Sequence, residues 1–138
     1  MRRVRTGLAA AALMVAACPS AESALMSPGE DCASCHGPGS FPHWTAAGTI
    51  YLDPEARPDQ GVSGATVHLI DGAGRSLALT TNSAGNFYTA EALEPPLQVA
   101  VERLGQRIAM PIPAPSGSCN SCHRQPPRNQ APGRVHAP

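Results

Sequence analysis

The chain has 138 residues and carries ten Arg, no Lys and ten acidic residues, for a formal net charge of zero. That length holds one small domain, so a large multidomain enzyme is excluded, and the charge balance gives no footprint for nucleic acid. Five cysteines, four of them in two C-x-x-C pairs, call for oxidation, metal or covalent cofactor chemistry.

Arg2, Arg3 and Arg5 precede an uncharged apolar run over 7–17. This pattern predicts a secretory signal peptide over 1–17, because the run is too short to span a bilayer as a helix. Without it, seven Arg face ten acids and the remainder is mildly acidic. Val15-Ala16-Ala17-Cys18 resembles the lipobox of bacterial lipoproteins. The resemblance implies lipidation at Cys18, a membrane anchor, and a place in the periplasm or at the outer membrane of a Gram-negative bacterium. Ordinary cleavage after the small residues is the alternative, and it leaves Cys18 as an odd thiol.

Next come Cys32-Ala33-Ser34-Cys35-His36 and, far downstream, Cys119-Asn120-Ser121-Cys122-His123. Both read C-x-x-C-H, the attachment pattern of c-type haem. Two thiols three positions apart on one helical turn can add to the vinyl groups on one porphyrin edge, and the following residue brings an imidazole under the iron. The pattern therefore predicts two covalent haems, with Cys32, Cys35, Cys119 and Cys122 as tethers and His36 and His123 as proximal iron ligands. Asp31 and Ser118 stand where N-caps belong, and Gly37-Pro38 ends the first turn. A four-cysteine zinc site or two local disulfides use the same pairs and leave both histidines idle.

From Ala46 to Ile112 the texture is all-β, with short runs near 47–52, 65–70, 76–81, 86–90, 97–103 and 106–112. Leu77 with Leu79, Leu97 with Val99 and Val101, and Ile108 with Met110 and Ile112 each share a parity, so each set is assigned to a core face. Asp71-Gly72-Ala73-Gly74, Asn82-Ser83-Ala84-Gly85 and Leu104-Gly105 mark the turns. Six strands joined by short turns reverse five times, which returns the two motifs to one pole of the fold; a seventh strand breaks that argument.

The segments Gly64-Ala65-Thr66-Val67-His68-Leu69-Ile70-Asp71 and Thr80-Thr81-Asn82-Ser83-Ala84-Gly85-Asn86-Phe87-Tyr88 resemble the carboxypeptidase-regulatory-like (transthyretin-like) family. This resemblance covers about half the chain. It implies a small Ig-type β-sandwich over 46–112, usually a non-catalytic spacer or binding module, here flanked by an N-terminal haem-binding segment over 18–45 and a Pro-rich one over 113–138.

Residues 111–138 contain seven prolines, so no regular helix or strand is expected beyond the second motif. Among possible sixth ligands, His43 in Phe41-Pro42-His43-Trp44 leads, and His136 and Met26 are weaker candidates. His68 is assigned to a solvated strand face and Met110 to the core. Trp44, Phe41, Tyr51 and Tyr88 are candidates either to face a porphyrin or to fill the core. No Ser-His-Asp order, phosphate loop or paired carboxylates stand out. The sequence thus points to an exported dihaem electron carrier that meets redox proteins, rather than an enzyme; a haem enzyme or sensor with one open iron site is a third reading. The rival is a non-catalytic β-sandwich lipoprotein whose cysteine pairs are closed by zinc or disulfides.

Overall fold

The computed structural model describes residues 23–138, so the signal peptide over 1–17 and Cys18 lie outside the described residues. Two sheets face each other across one apolar core, giving the all-β sandwich that the alternation predicts. The elements are α1 (Ala33–His36), β1 (Ala46–Thr49), β2 (Thr66–Ile70), β3 (Ser76–Thr80), β4 (Asn86–Thr89), β5 (Gln98–Arg103), β6 (Gln106–Ala109) and β7 (Gly117–Ser118), followed by a single 3-10 turn at Cys119–Ser121. One sheet has the order β4-β1-β7 and the other β3-β2-β5-β6.

Alternation places Val67 and Leu69 of β2 inward, against Phe87 of β4, Val101 of β5, and Ala46 and Ile50 on and just beyond β1. Each large apolar side chain buried there contributes about 1.5–3 kcal/mol relative to exposure. Leu77, Leu79 and Val99 pack against this cluster from the flanks. The hairpins close as their turn residues dictate. Leu104 (φ 51°) and Gly105 (φ 77°) give the two successive left-handed residues of a tight β5–β6 hairpin. Asp71 closes β2–β3: its fully buried carboxylate accepts the N–H groups of Ala73, Arg75 and Glu94 and both donors of the Arg75 guanidinium fork. Burial acts to raise this carboxyl's pKa, but the Arg75 main-chain and side-chain donors and the Glu94 N–H outweigh it and hold it at about 2.

Three expectations are corrected. First, β6 is exposed along its whole length, and Ile108, Met110 and Ile112 are 41%, 37% and 70% exposed, so Met110 is not core. Their parity is real, but β6 is the edge of the four-stranded sheet and extends past the cover of the three-stranded one. Second, a seventh strand exists. β7 runs parallel to β1, pairing Gly117 with Ala46 and Ser118 with Ala47. Third, His68 is not merely solvated: its Nε2–H donates to Glu102 Oε2 at 3.0 Å across β2 and β5. Beyond the second motif the proline-rich tail forms no regular strand, yet it is docked. Tyr51 N–H donates to Val135 O at 2.9 Å, Ala137 N–H donates to Tyr51 O at 2.7 Å, and Arg134 lies over the Tyr51 ring.

Candidate functional site: two paired C-x-x-C-H turns on strand β1

The two pentapeptides fold as copies of one another. In each, the histidine N–H donates to the first cysteine's carbonyl, at 2.8 Å for His36 to Cys32 and 3.0 Å for His123 to Cys119. The second cysteine's N–H reaches the same carbonyl at 3.2 and 3.3 Å. The middle serine hydroxyl donates to the carbonyl of the residue before the motif, at 2.7 Å for Ser34 to Asp31 and 2.6 Å for Ser121 to Ser118. The first thiol points back to the carbonyl two residues earlier, at 3.7 Å in both. One helical turn thus gathers two sulfurs and one imidazole, as the spacing predicts.

The imidazoles are oriented alike as well. His36 Nδ1 is 2.9 Å from Pro42 O, and His123 Nδ1 is 2.9 Å from Gly133 O. A carbonyl can only accept, so Nδ1 carries the proton and the Nε2 lone pair of each neutral ring is left as the donor to a metal. Trp44 stacks on His36 with centroids 3.7 Å apart, and Tyr88 of β4 stacks on Trp44 at 4.3 Å.

The motifs are brought together, though not by five reversals of six strands. Residues 26–31 run across β1 on their way to α1, and β7 delivers the second motif alongside the same strand. Ser118 Oγ donates to Asp31 Oδ1 at 2.6 Å, so the residues preceding Cys32 and Cys119 touch. Asn120, inside the second motif and 1% exposed, binds both partners at once: its Oδ1 accepts Thr49 N–H at 3.1 Å, and its Nδ2 donates to Glu30 O at 2.9 Å and to Thr49 Oγ1 at 3.1 Å. Thr49 Oγ1 also accepts Gly29 N–H and donates to Asn86 Oδ1, whose Nδ2 reaches Met26 O. Met26 thus meets the network through its carbonyl. Sequence reasoning missed Asn120 and Thr49; the only signal was an amide at a position that the haem pattern leaves open.

The expected caps act differently. Asp31 Oδ1 does accept Ala33 N–H at 3.1 Å, but Ser118 spends its hydroxyl on Asp31 and caps nothing. Gly48 of β1 lets the second motif approach: a Cβ there would meet Cys119 Cβ and the Phe87 ring at 2.9 Å.

Cys32, Cys119 and Cys122 carry free thiols, so neither pair is closed on itself, while Cys35 is disulfide-bonded. Burial, reinforced by the adjacent Asp31 carboxylate, pushes the Cys32 thiol up to about 11. Burial, with Cys32 and Cys122 adding to it, pushes Cys119 up to about 12. Among the described residues no three His, Cys, Asp or Glu side chains form a group that could hold a metal ion. His43 is exposed in the loop beside Pro42, and Phe41 is fully exposed. Tyr51 is wholly buried and belongs to the core. His136 is bridged to Tyr51 through the main chain. A cleft beside the first motif, lined by Cys32, His36, Trp44, Ala47 and Ser118, measures about 20 Å³. Among the described residues no helix is long and apolar enough to cross a membrane.

Neither a scan against protein-family models nor searches of curated proteins and of solved structures returned a match to this chain. The class that fold and site define is therefore an all-β sandwich bearing two similarly hydrogen-bonded C-x-x-C-H turns whose flanking residues meet beside strand β1.

Proposed function

We propose that the chain is an exported dihaem c-type cytochrome that carries electrons, with haem tethered at Cys32 and Cys35 and at Cys119 and Cys122. His36 and His123 are the axial ligands. The observation that carries this reading is the duplicated turn, in which each imidazole is held through Nδ1 by a main-chain carbonyl with Nε2 left to donate. A redox dithiol or a structural disulfide has no use for that orientation. A haem held by these residues would supply one-electron exchange between ferric and ferrous iron, at a potential set by its ligands, hydrogen bonding and burial.

The donor sets fit the group: each turn gathers two cysteines and one imidazole held through Nδ1. The cleft of about 20 Å³ beside the first turn is too small to enclose a porphyrin, so a haem bound there would need surface outside it. Exposed Phe41 and half-buried Trp44 offer apolar cover beside the first turn. Cys35 would add to a vinyl group only as a thiol, so its disulfide would first be opened by exchange with an external dithiol, which is itself oxidised to a disulfide. The contacts Asp31–Ser118 and Glu30–Asn120 make electron exchange between the two sites intramolecular. His43 is the proposed sixth ligand of one haem. Export by the leader over 1–17, lipidation at Cys18 and redox proteins as partners complete the proposal. Without Lys, docking falls to Arg, carboxylates and haem edges.

The test is expression in a host able to attach haem c, followed by mass spectrometry of the two motif peptides. Each should be heavier by ~616 Da, and the reduced-minus-oxidised spectrum should show a sharp α band near ~550 nm with two haems per chain. A colourless product with both peptides at their unmodified mass overturns the proposal. Replacing His43 with Ala should shift the low-spin spectrum and the potential of one haem; an unchanged spectrum removes His43 from the ligand set.

A further inference from the structure

We infer that Trp44 is a positioning residue for the first haem site, fixing the plane in which His36 presents Nε2; the inference rests on the haem reading above. The two proximal imidazoles share a hydrogen bond through Nδ1 but not their surroundings. Trp44 covers one face of His36 with an interplanar angle of 20°, and Tyr88 backs Trp44 at 12°. Among the described residues no aromatic ring stacks on His123.

A single hydrogen bond fixes one atom of an imidazole and leaves its plane free to swing, because the χ2 torsion of histidine is broad. At His36 that bond comes from Pro42, in a loop whose neighbours Phe41 and His43 are exposed. The stack comes from the sandwich. Trp44 N–H donates to His36 O at 2.9 Å, Trp44 stands two residues before β1, and Tyr88 sits on β4 in register with Ala47 of β1. Stacking takes up the face of the ring and leaves its Nε2 edge open. The ladder His36–Trp44–Tyr88 therefore transfers the rigidity of the three-stranded sheet to a ligand that its own loop holds less firmly.

The asymmetry supplies an internal control, since a change in the ladder should reach one haem and spare the other. In the full chain loaded with two haems, Trp44→Leu should split or broaden the ferric low-spin resonance of the His36 site in electron paramagnetic resonance and leave the His123 signal unchanged. Trp44→Phe should restore a single sharp signal. Tyr88→Leu, which removes only the backing ring, should broaden the same site to a smaller degree, and it carries the test if Trp44→Leu misfolds. In the haem-free chain the His36 ring protons should be shifted upfield by Trp44, and this shift should vanish in Trp44→Leu and persist in Trp44→Phe. Two unchanged signals in the loaded variants, or equal disturbance of both, overturn the inference while leaving the cytochrome reading intact. A wild-type chain without covalent haem overturns that reading and this inference with it.

Discussion

Asn120→Ala is the sharpest test of how the two motifs are joined. The amide makes three hydrogen bonds in a site from which water is excluded, and alanine cannot make any of them. Thr49 Oγ1 keeps Gly29 and Asn86 as partners, so its loss is small. The Thr49 N–H has no such reserve and is left unpaired beside a side chain that is 1% exposed, which costs about 1–3 kcal/mol. Losing the bond to Glu30 O adds about 1 kcal/mol. The sum is roughly 2–4 kcal/mol, which for a domain of this size lowers Tm by about 8–16 °C. Thermal unfolding measures the shift, and hydrogen exchange locates it: the amides of Thr49 and Gly29 should lose protection while those of β2 and β5 keep theirs. Ser118→Ala, which removes only the half-exposed bond to Asp31, should cost about 1 kcal/mol and serves as the comparison. A Tm within about 2 °C of wild type, with Thr49 still protected, refutes the assignment of Asn120 as the clamp.

Cys119, pushed up from 9.0 to about 12, should hold about a thousandfold less thiolate near pH 8 than an unperturbed thiol, and Cys32, at about 11, about a hundredfold less. Iodoacetamide labelling of the folded haem-free chain, read by peptide mass spectrometry, should find both slow; labelling of Cys119 at the rate of a free peptide thiol contradicts this. Asp71 is held at about 2 against an ordinary 3.8, so its stabilisation is complete above pH 3.8 and drains away as pH falls towards 2. Acid unfolding of Asp71→Asn should therefore lack the part of the wild-type transition that lies in that window, and identical acid profiles refute it. Gly48→Ala should cost about 1–3 kcal/mol by forcing Cys119 and Phe87 apart, visible as a lower urea midpoint; a neutral result means that β1 and the second motif can slide past each other.

The β-sandwich was legible because a half-buried strand writes its burial into every second residue. Val67 and Leu69, and Leu97 and Val101, fall inward where parity places them. Ile108, Met110 and Ile112 show the limit of that signal. Parity names a face, but whether the opposite sheet reaches over it depends on strand count, which no local pattern records. β7 escaped detection for a related reason: Gly-Ser has no apolar period, and its pairing with β1 is fixed by the closeness of two main chains. At Gly117 a Cβ would fall 1.9 Å from Thr45 O. The two C-x-x-C-H turns were readable as local turns because the motif sets its residues at fixed spacing within one helical turn. What holds those turns against each other was not, since Asn120, Thr49 and Asn86 are polar residues far apart in sequence that meet only after the sheet has formed.

Strand β1 is only four residues long, yet it is clasped by residues 26–31 and 117–121, which also bond to each other, and Tyr51 just beyond it is pinned by 135–137. A chain leaving a ribosome or a translocation channel therefore presents its first C-x-x-C-H peptide long before the residues that brace it exist. Until residues 117–137 have emerged, that early segment lacks the partners that brace it, and the clasp around β1 closes only once they are made.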